Sequence, residues 1–391
     1  AAMAETLMAR LQRKLAEKHA SNLYRQRRIV DSPQQVELLS AGRSLLSFCS
    51  NDYLGLANHP ALAQALKRGV DRWGVGSGAA HLISGHSSAH HLLEEELAEW
   101  LGRERALLFS TGYMANLGVI GALAGRGDHI FADRLNHASL IDAGLASAAV
   151  FQRYRHGDAT MLDEQLRGAE RGSSMVVSDG VFSMDGDVAP LPQLVEICAR
   201  HQALLMIDDA HGIGVLGEQG RGSGDGYSQQ QLPVLMATLG KAFGVFGAFV
   251  AGSGELIENL IQEARSWVYT TAMPAAMAEA LREALKIVRE EEWRRQQLTR
   301  LVNQFREGAD ELGLALMPSQ TPIQPLLVGD AGSALRWSRA LQEQGILVSA
   351  IRPPTVPSGS ARLRITFSAA HTQAHLERLL EALEKVHKGL H

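Results

Sequence analysis

Short apolar runs alternate with helical segments from residue 105 to residue 208, and this alternation constrains the fold more than any other feature of the chain. Apolar runs of this length predict buried strands, and the longer segments between them carry apolar residues at helical spacing. The predicted order is strand 105–109, helix 113–124, strand 129–132, helix 138–147, strand 149–153, helix 159–170, strand 174–178, helix 190–201 and strand 203–208. This order predicts an α/β fold with a mostly parallel sheet covered by helices on both faces.

Polar residues follow the predicted strands, at the ends where ligands bind in sheets of this kind. Ser110-Thr111-Gly112-Tyr113 follows the first strand, and small residues at the start of a helix indicate an anion site. Side chains suited to catalysis follow later strands: Asp133 and His137, then Ser183, then Asp208 and His211. Alone, each residue has an ordinary interpretation, such as a helix cap for Asp208. Together, at one edge of a sheet, they predict a shared site.

A lysine follows a further apolar run, 233–237, in the segment Thr238-Leu-Gly-Lys241-Ala-Phe-Gly244. Burial of an ammonium group is costly, so a lysine beside a core strand tends to lose its proton or to find a partner. A neutral amine in a dry pocket is the nucleophile that forms imines with carbonyl groups. The glycines at 240 and 244 are expected to let a flat ligand approach the backbone. Ser/Thr-x-x-Lys is also the usual spacing around a lysine that holds pyridoxal phosphate (PLP), although a lone surface lysine is the commoner case.

Composition excludes several classes of function. A net charge of −4 over 391 residues argues against a protein that binds a nucleic-acid backbone. Cys49 and Cys198 lie far apart without a C-x-x-C motif, so neither a zinc site nor a disulfide framework is indicated. Frequent charges in residues 1–20 and the lack of a long apolar run predict a cytoplasmic protein without a signal peptide or membrane span.

Three further patterns favour ordinary interpretations. Gly74-Val-Gly-Ser-Gly78 is glycine-rich, but no apolar strand precedes it, so we expect a connecting or site-lining loop. His91 and Glu95 are four residues apart in a helix predicted from His90 to Trp100 and could bind a metal. A solvent-facing acidic surface is the favoured interpretation there, and we expect no metal site. Neither a G-x-S-x-G nucleophile elbow nor a P-loop is present.

The pattern changes towards both ends of the chain. Residues 1–45 are predicted to form an N-terminal helix and arm, 46–275 a large α/β domain, and 276–391 a small α+β domain that begins with a long helix. The arm carries a basic stretch at 25–28, which is either a solvated linker or a source of an arginine for a substrate carboxylate. Arg352-Pro-Pro-Thr-Val-Pro357 joins two strands of the small domain, and its prolines fix the backbone that carries Arg352.

From about residue 20 onward the chain resembles the fold-type I PLP-dependent enzymes and, among them, the α-oxoamine synthases. The matching segments are Asp208-Asp-Ala-His-Gly212, Thr238-x-x-Lys241, Ser50-Asn-Asp-Tyr-Leu-Gly-Leu56, and Gly186-Asp187 before Ala189-Pro190. The resemblance implies PLP as cofactor, bound by the large domain, and a homodimer.

The resemblance also implies a role for each site residue. Lys241 would bond the cofactor aldehyde and later move the substrate Cα proton, while His137 would stack on the pyridine ring. Asp208 would pair with the ring nitrogen, and His211 would hydrogen-bond the ring hydroxyl. The other implied contacts are to the phosphate (backbone amides of Gly112 and Tyr113, with Thr238 and Ser183), to the neighbouring subunit's phosphate (Thr270 or Thr271), to the amino-acid carboxylate (Arg352, with Asn51 nearby) and to the acyl substrate (Arg25, Thr355).

One segment narrows the resemblance further. Ile351-Arg-Pro-Pro-Thr-Val-Pro357, followed by Ala361-Arg-Leu-Arg364, is most similar to the family member that condenses L-alanine with a pimeloyl thioester in biotin biosynthesis. The implied partners are L-alanine and either pimeloyl-CoA or pimeloyl-acyl carrier protein. The alternatives are a sister synthase that uses glycine, such as 2-amino-3-ketobutyrate CoA ligase, and an aminotransferase. A non-catalytic partner subunit is disfavoured because Lys241, Asp208 and His137 are all present.

Two residues depart from the family pattern. Asp179 stands where these synthases often have glutamate, and Ile213 replaces a common threonine. Neither change removes a group that the chemistry needs, so we expect both to affect contacts behind the reacting groups.

Overall fold

The computed structural model describes residues 4–169 and 171–389, and its contacts divide the chain into two units. The larger unit comprises Asn51–Ser183 and Asp187–Gln297, and the smaller comprises the residues up to Ser50, Met184–Gly186 and the residues from Leu298 onward. The sequence places its domain limits after residues 45 and 275 instead. The helix that follows residue 275 packs within the larger unit, where a Cβ on Gly69 would lie 2.7 Å from the Cα of Ala276.

The elements are numbered along the chain. The helices are α1 (Leu7–Ala20), α2 (Pro60–Trp73), α3 (Ser88–Leu101), α4 (Gly112–Leu123), α5 (Ala138–Ala146), α6 (Ala159–Arg167), α7 (Leu191–His201), α8 (Gly254–Glu263), α9 (Arg265–Val268), α10 (Ala275–Glu290), α11 (Trp293–Glu311), α12 (Ala331–Glu343) and α13 (Gln373–Gly389), with a π-helical turn at His81–Gly85 and a 3₁₀ turn at Glu218–Gly220. The strands are β1 (Glu37–Ser40), β2 (Arg43–Ser47), β3 (Arg105–Phe109), β4 (His129–Asp133), β5 (Val150–Tyr154), β6 (Ser174–Asp179), β7 (Leu204–Asp208), β8 (Val234–Thr238), β9 (Ala248–Gly252), β10 (Ile323–Gly329), β11 (Ile346–Leu347), β12 (Ser349–Ile351) and β13 (Ala361–Thr366).

The larger unit is built on a seven-stranded sheet in the order β3-β9-β8-β7-β6-β4-β5. Neighbouring strands from β8 to β5 are parallel, and β9 runs antiparallel to both β3 and β8. Six strands therefore point the same way and deliver their carboxyl ends to one edge. Every residue of β8 and β9 is buried, as expected for strands in the middle of a sheet covered on both faces.

The mostly parallel α/β fold predicted from the sequence is confirmed. The strands predicted between residues 105 and 208 agree with β3 to β7 to within one residue at each end. The helix predicted for 159–170 ends at Arg167 instead, and residue 170 lies outside the described residues. Helices α8 and α9 were not predicted; Ser253 begins the first by accepting a hydrogen bond from the backbone N–H of Leu256.

The smaller unit contains two three-stranded sheets, ordered β1-β2-β11 and β10-β13-β12. The sequence predicts a single strand at 346–351, but the structure divides it into two. Strand β11 pairs with β2, while β12 pairs with β13 in the other sheet. One largely apolar stretch, interrupted by Ser349, thus serves both sheets, and hydrophobic periodicity cannot distinguish it from a single strand. Within the described residues, no helix combines the length and apolar character that a membrane crossing needs.

Candidate active site

Polar residues of the larger unit gather at the sheet edge where the parallel strands end. Asp133, Asp179, Asp208 and Thr238 are the last residues of β4, β6, β7 and β8, and Thr111 caps the helix that follows β3. All four strand-end residues are buried. Polar side chains therefore gather at one edge of the sheet, as the sequence predicts. Asp179, which we expected only behind the reacting groups, is one of the four strand-end residues.

Asp208 is held by a chain of hydrogen bonds that reaches His137. Its Oδ2 accepts from Asn116 Nδ2 at 2.9 Å, and the same amide nitrogen donates to Ser139 Oγ at 2.9 Å. Ser139 Oγ in turn lies 2.7 Å from His137 Nδ1. Asn116 and Ser139 were not assigned roles from the sequence; Asn116 stands out only as a polar residue in an otherwise apolar stretch of α4.

His137 is also fixed from the other side, through its backbone. Its N–H donates to Asp179 Oδ2 at 2.7 Å. Burial, and then repulsion from the Asp208 carboxylate, raise the pKa of Asp179 well above its usual value. Partial burial lowers the pKa of His137; Asp208 opposes this shift and Lys241 adds to it. The charge of Lys241 thus acts to lower the pKa of both His137 and Asp179.

Lys241 sits on a tight turn directly after β8. The backbone N–H of Gly244 donates to the carbonyl oxygen of Lys241 at 2.9 Å. Gly244 has a φ of +75°, and a Cβ there would lie 2.7 Å from the backbone of Leu56 and Ala57. Gly244 is thus required by the turn and by its packing against 56–57, whereas the sequence suggests that it makes room for a ligand.

The start of α4 lies against the end of β8, and polar groups of both meet there. Thr238 Oγ1 is buried and has no hydrogen-bond partner among the described residues. A Cβ on Gly112 would lie 2.8 Å from Thr238 Cγ2, so the close approach requires glycine. The first backbone N–H groups of a helix point towards an anion placed at its start. An orphaned hydroxyl beside those groups fits a phosphate.

His211 is oriented by a residue that the sequence did not single out. Its Nδ1 lies 2.6 Å from the hydroxyl of Tyr53, which also donates to Asn51 Oδ1 at 3.3 Å. Asn51, predicted to lie near the substrate carboxylate, is thereby linked to His211. Ile213, one of the two departures from the family pattern, is fully buried in the core.

Three other predicted cofactor contacts have different surroundings. Ser183 lies partly buried in the loop after β6. Thr270 Oγ1 donates to the carbonyl oxygen of Ser266 at 2.5 Å, within its own helical turn. Thr271 is exposed and forms an isolated backbone bridge with Ala80.

The remaining predicted residues lie in the smaller unit and come together there. Arg25 Nη2 is 3.4 Å from Thr355 Oγ1, and Arg352 Nη1 donates to the carbonyl oxygen of Asn22 at 2.6 Å. Partial burial and the like charges of Arg25 and Arg339 lower the pKa of Arg352. Like charges that disfavour one another in this way favour an anionic ligand, which would offset them.

Taken together, the larger unit offers the groups that PLP requires. Gly112, Tyr113 and Thr238 would provide donors for a phosphate, and buried Asp208 would provide a carboxylate for a pyridinium nitrogen. His137 would provide a planar ring, and Lys241 an amine for an aldehyde. The residues therefore fit this cofactor.

Comparisons with known proteins agree with this geometry. The family of class I and II aminotransferases matches residues 43–383. The chain is 62% identical over 385 residues to the 8-amino-7-oxononanoate synthase of Thioalkalivibrio sulfidiphilus, covering 98% of each chain. It is 60% identical to the protein of the same name from Nitrosococcus oceani, covering 95% of this chain and 99% of the relative.

Solved structures show the same similarity. Serine palmitoyltransferase of Sphingomonas wittichii aligns with a TM-score of 0.93 at 29% identity, over 98% of both chains. A structure of SPT with a PLP internal aldimine aligns with a TM-score of 0.93 at 26% identity, over 98% of this chain and 99% of that one. The 8-amino-7-oxononanoate synthase of Francisella tularensis aligns with a TM-score of 0.78 at 32% identity, over 88% of this chain and 98% of that one.

Proposed function

The chain belongs to the class I and II aminotransferase family and, within it, to the 8-amino-7-oxononanoate synthases, and from that premise we propose that it condenses L-alanine with a pimeloyl thioester. Carbon dioxide and a thiol leave, and 8-amino-7-oxononanoate, a precursor in biotin biosynthesis, is formed. The observation that carries this proposal is the hydrogen-bond chain that joins Asp208 to His137 at the sheet edge where β8 also ends, with the orphaned Thr238 hydroxyl and then Lys241. The curated relatives support this activity over a glycine-dependent sister synthase.

PLP supplies an aldehyde that bonds to an amine and a protonated ring that accepts electrons from the substrate Cα. Lys241 would bond the aldehyde and, once alanine has displaced it, would remove the Cα proton and later return it. Because partial burial lowers the pKa of His137, against the opposing effect of Asp208, its imidazole would lie uncharged against the ring face.

The other residues of the larger unit hold and orient the cofactor. Asp208, anchored by Asn116, would keep the ring nitrogen protonated. His211, oriented by Tyr53, would hydrogen-bond the ring hydroxyl. The phosphate would be bound by the backbone amides of Gly112 and Tyr113 together with Thr238 and Ser183.

Substrate recognition is assigned to the arginines of the smaller unit. Arg352 would hold the carboxylate of alanine, which its planar fork suits, with Asn51 contributing. Arg25 and Thr355, already paired in the structure, would face the acyl substrate. Either coenzyme A or an acyl carrier protein can present the pimeloyl group to these residues.

We propose further that the enzyme is a cytoplasmic homodimer. The apolar residues of α1 (Leu7, Met8, Leu11 and Leu15) are 51–71% exposed, and an exposed apolar stripe on a helix favours burial against a second chain. Thr270 or Thr271 would then reach the phosphate bound by the neighbouring subunit. Two unpaired cysteines, Cys49 and Cys198, are consistent with a reducing compartment.

A substrate panel tests the proposed reaction. L-Alanine and glycine are each combined with pimeloyl-CoA, pimeloyl-acyl carrier protein and acetyl-CoA, and the products are identified by mass spectrometry. We expect 8-amino-7-oxononanoate from alanine and one or both pimeloyl thioesters. Product from glycine and acetyl-CoA alone would favour the sister synthase and refute the proposal.

A further inference from the structure

A cluster of histidines at the start of α3 has no role in the proposed reaction. His86 Nε2 lies 3.1 Å from His91 Nδ1 and 3.7 Å from Glu94 Oε1. One ligand atom from each of these three residues lies within 4.8 Å of the other two. The sequence predicts a solvent-facing acidic surface here, and the only possible metal pair that it indicates is His91 with Glu95. Helical spacing cannot show that the turn before α3 brings His86 close to His91.

The spacing of these atoms suits a metal ion. A tetrahedral zinc ion bound at about 2.0–2.2 Å separates its ligand atoms by roughly 3.4 Å. The separations of 3.1 Å and 3.7 Å lie on either side of that value. Two imidazoles and one carboxylate form a ligand set that suits zinc and its neighbours in the transition series.

Each candidate ligand is also oriented through its other polar atom. His86 Nδ1 lies 2.8 Å from His81 Nδ1, and His91 Nε2 lies 3.3 Å from Glu95 Oε1. Glu94 Oε2 accepts the backbone N–H of Leu108 at 2.8 Å. Metal-binding histidines in proteins typically donate their second N–H to such a partner, and His91 with Glu95 reproduces the carboxylate–histidine–metal arrangement.

The surroundings leave two of the three candidate ligands accessible from solvent. His86 and His91 are exposed, whereas Glu94 is buried, so an ion can reach the cluster from solvent. Glu94 is fixed from behind by the backbone of β3, so the buried ligand keeps its place while the two exposed ligands meet the ion.

We propose that His86, His91 and Glu94 bind one divalent transition-metal ion of the zinc type and leave its fourth position to water. Such an ion would link the turn at His81–Gly85 to α3 and, through Glu94, to β3. The competing interpretation is a metal-free row of hydrogen bonds from His81 through His86 to His91. The metal site predicts that the protein binds one ion per chain at these residues, whereas the metal-free row of hydrogen bonds predicts no binding.

The test uses tag-free protein with its cofactor bound, stripped of metals with a chelator. Zn²⁺ binding is measured by equilibrium dialysis, and Co²⁺ is added separately because its visible absorption reports the ligand geometry. We expect one Zn²⁺ per chain, a tetrahedral-type Co²⁺ spectrum, and at least about tenfold weaker binding in His86→Gln and in His91→Gln. Glu95→Gln, which leaves all three ligands in place, should weaken binding less.

Two matched controls remove the same side-chain types outside the cluster. His129→Gln and Glu99→Gln should bind Zn²⁺ as the unmodified protein does. Circular dichroism shows whether each variant has folded. Glu94→Gln tests the third ligand, because the glutamine side chain can still accept the backbone N–H of Leu108. The proposal is overturned if the unmodified protein binds no Zn²⁺ at ~100 µM, or if both histidine variants retain its affinity.

Discussion

Replacing Gly112 by alanine should weaken PLP binding, because the added methyl group competes with Thr238 for space. A Cβ on Gly112 would lie 2.8 Å from Thr238 Cγ2, well inside ordinary contact distance. Relieving this contact would displace Thr238, whose hydroxyl is proposed to hold the phosphate, so the substitution is expected to weaken cofactor binding. Overpacking of this kind costs about 1–3 kcal/mol, which corresponds to roughly a 5- to 150-fold loss of affinity.

Titration of cofactor-free enzyme with PLP, followed by visible absorbance, measures this loss. Gly121→Ala is the matched control, since it lies in the same helix and a Cβ there would meet nothing within 4 Å. That control should bind PLP normally and gain up to about 1 kcal/mol of stability from its better helix propensity. The reasoning about this pocket is refuted if Gly112→Ala binds PLP as tightly as the unmodified enzyme.

Three further predictions concern other parts of the enzyme. Lys241→Ala should abolish turnover and, after borohydride reduction, should show no covalently attached cofactor by mass spectrometry; retained turnover would exclude Lys241 as the catalytic amine. Arg352→Lys should raise the KM for alanine more than it lowers kcat, since a single ammonium cannot reproduce a forked contact with a carboxylate; an unchanged KM would contradict that role. His156 contacts Asp133 at 3.0 Å and Asp187 at 2.6 Å; burial alone would lower its pKa, but these two carboxylates raise it to about 10. Because this value lies above the unfolded pKa of about 6.5, the pair of contacts stabilises the fold fully below pH 6.5 and loses that effect as the pH rises through 10. His156→Gln should therefore lower the free energy of unfolding by on the order of 2 kcal/mol at neutral pH, and a difference from the unmodified protein that persisted above pH 10 in denaturant titrations would count against this origin.

The fold could be predicted from the sequence where one physical rule determined each element. Strands β3, β4, β6 and β7 are largely apolar runs because helices cover both faces of their sheet, whereas the edge strand β5 is mostly exposed; the limits of all five were predicted to within one residue. The rule fails at 346–351, where one apolar run supplies β11 and β12 to two different sheets. Strand pairing depends on contacts distant in sequence, so periodicity alone cannot locate that break.

The candidate site was predictable in its reacting groups but not in its supporting ones. Lys241 and Asp208 follow apolar runs, which makes them unusual enough to notice. Asn116, Ser139 and Tyr53 are ordinary polar residues whose importance comes from hydrogen bonds across 23 to 158 positions of the chain. Tyr53 lies in a segment that carries the family resemblance, but no local pattern shows which residues these three side chains contact, and only the folded chain brings the partners together.

The most direct test of the proposed reaction follows the carboxyl carbon of alanine. L-Alanine labelled with ¹³C at its carboxyl group is incubated with the enzyme and a pimeloyl thioester, and labelled carbon dioxide is measured together with the amino-ketone product. The account predicts one labelled carbon dioxide for each 8-amino-7-oxononanoate, and neither with the Lys241→Ala enzyme. Pyruvate that retains the label, with no labelled carbon dioxide released, would identify an aminotransferase and contradict the account.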